Sequence, residues 1–136
     1  MDEDKINKLP PDVKKQFIKY ALKLSEKKKK TKVNDDFLTF VKHVWPEFIE
    51  GRHHKEIADK FNDIANKKIK RLIINMPPRH TKSEFASFLL PAWMVGRRPN
   101  LKIIQTTHTT ELAIRFGRKA KTLMDSQEYK EVFDTR

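Results

Sequence analysis

The feature that most constrains the fold of this chain is a change of hydrophobic period near Ile69. Downstream of it a short apolar run, Leu72-Ile73-Ile74, reads as a strand and is followed by a turn. Helical spacing then runs from about Lys82 to Val95, a turn falls at Gly96-Arg97-Arg98-Pro99-Asn100, and Leu101 to Thr106 reads as a second strand. Another helical pattern covers roughly Thr109 to Met124, with Leu112, Ala113, Phe116, Ala120, Leu123 and Met124 apolar. Strand, helix, strand, helix is the alternation of an α/β domain with a parallel sheet. Two strands cannot bury much surface, so the pattern predicts an incomplete sheet whose other strands lie beyond Arg136.

Upstream of Ile69 the periodicity is helical. Pro10-Pro11-Asp12 starts a helix in which Val13, Phe17, Tyr20, Ala21 and Leu24 share a face. The run from Glu26 to Lys32 has no apolar stripe and repels itself, which predicts a solvated linker able to touch phosphates. Asn34-Asp35-Asp36 can cap a second helix carrying Phe37, Phe40, Val41, Val44, Trp45 and Phe48 on one stripe, ended or kinked by Pro46. After Gly51, His53-His54-Lys55-Glu56 opens a third helix with Ile57, Phe61 and Ile64 on one side. Adjacent histidines do not share a helical face, which argues against a zinc site. The organisation expected is a basic helix and Lys-rich linker over 1–33, a helical lead-in over 34–68, and an α/β region over 69–136.

Charge bears on the partner. Thirty Lys and Arg against 18 Asp and Glu give +12, a field that favours polyanions. Half of the excess sits in residues 1–33, where 11 lysines face 5 acids, a net of +6. With no cysteine, disulfides and thiolate sites are excluded. No apolar stretch of about twenty residues and no apolar core in MDEDKINKLPP point to a soluble, intracellular chain with no membrane contact.

The stretch RLIINMPPRHTKSEF, residues 71–85, carries the chemistry. A triphosphate needs convergent backbone N–H groups at a helix start, a cation near its β- and γ-phosphates and a hydroxyl for Mg²⁺. Lys82 and Ser83 stand where that design wants them, but the usual G-x-x-x-x-G-K-[ST] spacing puts glycines at 76 and 81, where this chain has Met76 and Thr81. Pro77 and Pro78 offer no N–H, so the amides of Arg79, His80, Thr81, Lys82 and Ser83 form the available cradle. Read as plain structure, Lys82 and Ser83 merely begin an exposed helix. The polar turn Gln105-Thr-Thr-His-Thr-Thr-Glu111 and the basic helix with Arg115, Arg118, Lys119 and Lys121 are further phosphate contacts, or only a wet face.

The succession from Arg71 to Phe133, RLIINMPPRHTKSEFASFLLPAWMVGRRPNLKIIQTTHTTELAIRFGRKAKTLMDSQEYKEVF, resembles the start of the ATPase domain of tailed-phage large terminase subunits, and GRHHKEIADKF resembles the segment leading into it. The resemblance spans roughly residues 37–136, and residues 1–36 carry no specific match. The family's loop commonly reads PPRHGKS, so Thr81 is the departure and puts nucleotide affinity and turnover in question. The resemblance implies a P-loop NTPase-type parallel sheet and ATP with Mg²⁺ as cofactors. It implies that Lys82 contacts the β/γ-phosphates, Ser83 holds Mg²⁺, Arg79 reaches the γ-phosphate, and Pro78, His80 and Thr81 complete the loop. His53 or His54 falls near the adenine, or serves as a cap or core residue instead. Thr107, Thr109, Thr110 and Arg115 are candidates for contact with a DNA backbone.

The implied partners are viral double-stranded DNA, the portal protein, the small terminase subunit and further copies in a ring, in the host cytoplasm and transiently at the prohead portal. The family's Mg²⁺-binding acid, catalytic glutamate, coupling motif and nuclease domain are not visible, and Val132-Phe133-Asp134 is too short for a missing strand. The expectation is a fragment, a truncated product or half of a split motor. Two other readings stay open: a helicase-like P-loop ATPase, and a small basic nucleic-acid-binding module with a vestigial loop.

Overall fold

The computed structural model describes residues 10–133. All regular structure among them is helical: α1 Pro11–Asp35, α2 Phe37–Val44, α3 Arg52–Ala65, α4 Lys82–Glu84, a π-helical segment Phe85–Leu89, α5 Leu90–Arg97, α6 Thr110–Asp125 and α7 Gln127–Val132. The expected absence of an export signal in residues 1–9, and Asp134, lie outside the described residues. No helix among the described residues is long and apolar enough to cross a membrane.

The chain divides after Thr31 into two compact units. The first holds helix α1 up to Thr31, opened by Pro11 at its first position, where a missing N–H costs nothing; the last turn of the helix, 32–35, belongs to the second. The helix does not stop at Leu24 but runs on to Asp35, so the lysine run is helix and not a linker. Lysine is a good helix former, and like-charge pairs in solvent oppose it by only about 0.2–0.5 kcal/mol each. Cations near the carboxyl end also suit the helix dipole.

The second unit is built on Phe37, which is fully buried. It meets Phe61, Phe85 and Trp93 edge-on with ring centroids 5.1, 5.4 and 5.4 Å away, so α2, α3, the π segment and α5 converge on one ring. Phe40, on the same stripe one turn later, packs on Tyr129 and Phe133 and brings in α7. Asp36 caps α2, accepting from the Thr39 amide at 2.7 Å and its hydroxyl at 2.6 Å. Asn62 of α3 donates to the same carboxylate at 2.8 Å and accepts from the Phe37 amide at 2.9 Å, which pins α3 to the start of α2. Burial raises the Asp36 carboxyl, but the hydrogen bonds from Thr39 and Asn62 and the nearby Lys32 outweigh it and hold it below its ordinary range.

Residues 82–97 form one unbroken helical run despite Pro91. Proline cannot donate to the carbonyl four residues back, and its ring crowds that carbonyl. The helix answers by widening just before it: the Leu90 amide donates to the Phe85 carbonyl, five residues back, across the π-helical turns.

The expected α/β sheet is overturned, because the described residues contain no strand. Residues 71–77 and 101–107 are irregular, and no backbone ladder joins them. Their apolar side chains are not packed between layers: Ile73 is 89% and Ile104 91% exposed, while Leu72, Ile74 and Met76 lean on the helical core. A short apolar run such as Leu72-Ile73-Ile74 specifies a strand only where partners satisfy both of its edges, and here none does. The buried surface is helix on helix.

Candidate functional site

The segment from Pro77 to Glu84 curls around a cavity of about 300 Å³ lined by those eight residues alone. Arg79 and Thr81 have left-handed backbones, with φ of 65° and 56°, and among the described residues Lys67 is the other non-glycine with positive φ. A left-handed residue followed by a right-handed one, as Thr81 is followed by helical Lys82, turns successive N–H groups toward one concave side. The amides of Arg79, His80 and Thr81 donate to no acceptor among the described residues, and those of Lys82 and Ser83 open a helix, where no carbonyl precedes them. The five amides expected from the sequence therefore have no acceptor among the described residues. Lys82 Nζ donates to the Met76 carbonyl at 3.1 Å, arching over the loop, and Ser83 is exposed at the cavity.

Thr81 explains how the loop keeps this shape without glycine. The left-handed conformation costs an L-residue about 1–2 kcal/mol. What holds it is His54, 6% exposed in the first turn of α3 between the rings of Phe48 and Phe85. The Gly51 amide donates to His54 Nδ1 at 2.9 Å, so Nδ1 bears the lone pair and the neutral ring carries its proton on Nε2. Nε2–H then donates to Thr81 Oγ1 at 2.6 Å, and the Thr81 hydroxyl donates onward to the His80 carbonyl at 2.7 Å. His80 is braced in turn by Nδ1–H donating to the Pro78 carbonyl at 2.9 Å. Burial lowers the His54 pKa first, and His53 and His80 push it the same way against Glu50, so the neutral form that this chain of bonds requires is the favoured one. Glu50 is itself held by Lys42 and Lys55.

Two neighbours complete the geometry. Glu84 receives both oxygens' worth of contact from Lys119 of α6, at 2.7 and 2.8 Å, which fixes the first turn of the helix and takes Lys119 out of reach as a free cation. Beside the loop a second hollow of about 300 Å³ is lined by His53, Ile57, Leu72, Ile74 and Met76 among others. His53 Nε2 is itself buried, with no hydrogen-bond partner among the described residues, and its ring lies 5.8 Å from that of His80.

Of the sequence-predicted residues, Pro78, Arg79, His80, Thr81, Lys82, Ser83 and His54 come together. Thr107, Thr109, Thr110 and Arg115 line none of the loop's cavity. Thr109 caps α6, accepting from the Leu112 amide, and Thr107 donates to the Thr109 carbonyl at 2.6 Å. Arg115 borders a separate open groove of about 890 Å³ along α6. No three His, Asp or Glu side chains among the described residues gather to hold a metal. Magnesium therefore fits here only through the Ser83 hydroxyl and oxygens of a bound phosphate chain. Sequence reasoning missed the His54–Thr81 bond and the Glu84–Lys119 pair; a threonine in glycine's place was the one signal pointing to the first. Comparison with protein-family models, with curated proteins and with solved structures finds no match to this chain.

Proposed function

We propose that this chain is the N-terminal, nucleotide-binding part of a large terminase subunit, the ATP-driven motor that packages viral double-stranded DNA into proheads. The observation that carries the reading is the loop of residues 77–84: five amides without acceptors, a lysine and a serine at a helix start, and two left-handed residues gathered around one cavity. That is donor chemistry for a phosphate chain. In this reading Lys82 exchanges the Met76 carbonyl for the β- and γ-phosphate oxygens, Arg79 reaches the γ-phosphate, and Ser83 offers its hydroxyl to Mg²⁺. The hollow beside His53, with its wall of Ile57, Leu72, Ile74 and Met76, takes the adenine. His54 acts through Thr81 and positions the loop. Arg115, exposed on α6, stays a candidate for a DNA phosphate. The portal protein, the small terminase subunit, a ring of copies and a place in the host cytoplasm belong to the same proposal, as do hydrolysis and DNA cutting by the complete family protein.

Calorimetry of the chain with ATP and Mg²⁺ tests this. Binding that weakens at least tenfold in Lys82→Ala, with helical circular dichroism unchanged, is the expected result. Equal binding by the variant, or no heat of binding by the parent, overturns it. The high charge of α1 favours one other reading, a basic nucleic-acid-binding module whose loop holds no nucleotide. It predicts salt-sensitive DNA binding indifferent to Lys82→Ala, and no ATP binding.

A further inference from the structure

Helix α1 carries nine lysines against three acids in 25 residues, a net charge of +6 on one element. Their arrangement is not uniform. Lys15, Lys19, Lys23, Lys27 and Lys30 follow a three- and four-residue spacing, which keeps them within a sector of about 120° and stacks them about 5–6 Å apart along the axis. All five are exposed, and none makes an ion pair among the described residues. We propose that this lysine ridge is a docking surface for double-stranded DNA, laid along the phosphate backbone independently of sequence. The inference goes beyond the nucleotide-binding reading and does not rest on it.

Two observations select the partner. From Lys15 to Lys30 the ridge runs roughly 22 Å, and a duplex presents about one phosphate per 1.7 Å of its axis, so each lysine finds a phosphate without sequence preference. The second separates DNA from a lipid surface. A helix lying on a membrane needs an apolar face along its length. Here the apolar stripe of Val13, Phe17, Tyr20 and Leu24 covers only the first half. Residues 25–32 contain no apolar side chain, and Lys27, Lys28, Lys29 and Lys30 step round the whole circumference, about 100° apart. The most charged part of the helix thus has nothing to insert into lipid, while its lysines remain free to displace counterions from a polyanion. Binding also relieves the repulsion between lysines four residues apart, so the helix gains order with its partner.

The test is fluorescence anisotropy of the full chain with a mixed-sequence duplex of about two helical turns, across a salt series. The ridge variant replaces Lys15, Lys19, Lys23, Lys27 and Lys30 by Gln; a charge-matched control replaces Lys60, Lys67, Lys70, Arg71 and Lys102 by Gln. Expected for the ridge variant is a salt dependence of log K shallower by about 4.5, at five phosphate contacts of about 0.9 each, and an affinity lower by at least about 100-fold at 0.1 M salt. The control should lose less than tenfold. Circular dichroism should show α1 at least as helical in the ridge variant, since the repulsion is gone, and more helical in the parent on adding duplex. Equal losses in ridge variant and control overturn the proposal, because net charge alone then explains binding. So does a ridge variant that binds like the parent, a duplex RNA bound ten times more tightly than the DNA, or a tighter ridge-dependent affinity for phosphatidylserine vesicles.

Discussion

Replacing Thr81 separates two opposed effects that the structure superimposes at one residue. In Thr81→Ala the left-handed backbone remains, with its cost, but His54 Nε2–H loses its acceptor while the ring stays buried at 6% exposure. A buried donor left unsatisfied costs about 1–3 kcal/mol. Thr81→Ser keeps the hydroxyl and should lie within about 0.5 kcal/mol of the parent. Thr81→Gly loses the same bond as alanine but escapes the left-handed cost of about 1–2 kcal/mol, less about 0.4–1 kcal/mol for glycine's extra freedom in the unfolded chain. It should therefore sit about 1 kcal/mol above alanine. Urea unfolding followed by circular dichroism resolves these steps, with the expected order Ser near the parent, then Gly, then Ala. The nitrogen chemical shifts of His54 give an independent reading, because the parent should show its proton on Nε2. If Ala is as stable as the parent, or Ser falls as far as Ala, the hydrogen bond is not what holds the loop.

Other consequences follow from groups away from the loop. Burial pushes the Tyr129 hydroxyl up to about 12 from 10.0, and it donates to the Ala92 carbonyl at 2.7 Å. The native state therefore keeps a proton that the unfolded chain loses above pH 10, and stability should drop by roughly 2 kcal/mol as pH rises from 10 to 12. In a Tyr20→Phe background, adding Tyr129→Phe should remove that alkaline limb. Asp36 has the opposite sign: its lowered pKa gives stability that is present above the unfolded carboxyl's pKa and lost as pH falls through the folded one. Asp36→Ala should cost about 1–2 kcal/mol and flatten the acid limb of a denaturation series. At Gly96 an added Cβ would stand 2.6 Å from the Phe133 ring and the Tyr129 hydroxyl, so Gly96→Ala should destabilise by about 1–3 kcal/mol in the same assay. His54 is held below its ordinary pKa, so its share of stability is complete above the unfolded histidine's pKa and declines as pH falls toward the folded value. A proton-count measurement that finds no uptake on unfolding in that range would contradict it.

Helices were legible where an apolar stripe and a cap agree. Asp36 before Phe37, Phe40 and Val41 names both the start and the buried face of α2, and Thr109 before Leu112 and Phe116 does the same for α6. The extent of α1 was not legible, because a hydrophobic-period argument is silent over a run of lysines, where propensity alone carries the helix. The strands failed for a different reason. Leu72-Ile73-Ile74 and Leu101 to Thr106 have strand composition, but pairing is decided by partners elsewhere, and no local pattern supplies them. At the site, the donor-bearing residues 78–83 could be named from type and spacing. The partner of Thr81 could not, since His54 lies 27 residues away and reaches it only through the packing of α3 on the π segment.

The missing sheet changes what fixes the loop. In a strand-loop-helix unit the strand anchors the loop's first residues, and glycine lets the backbone reach the phosphates unstrained. Here the residues before Pro77 have no ladder and only Leu72, Ile74 and Met76 rest on the core, so most of the loop's order enters from the other side. It enters through Phe85, fully buried against Phe37, Phe48 and His54, which seats the helix start, and through His54, which holds Thr81. Lys82 ties the entry to the helix by its bond to the Met76 carbonyl. A phosphate chain drawing Lys82 away removes that tie at residue 76, leaving Leu72, Ile74 and Met76 on the core and the histidine side of the loop in place. Hydrogen exchange with and without ATP and Mg²⁺ reads the two sides separately: on binding, protection should rise steeply at the amides of residues 79–83, which gain phosphate acceptors, and less at 71–76, which line the adenine hollow but whose amides gain no acceptor. Protection rising equally across both would mean that the entry segment, and not His54, anchors the loop.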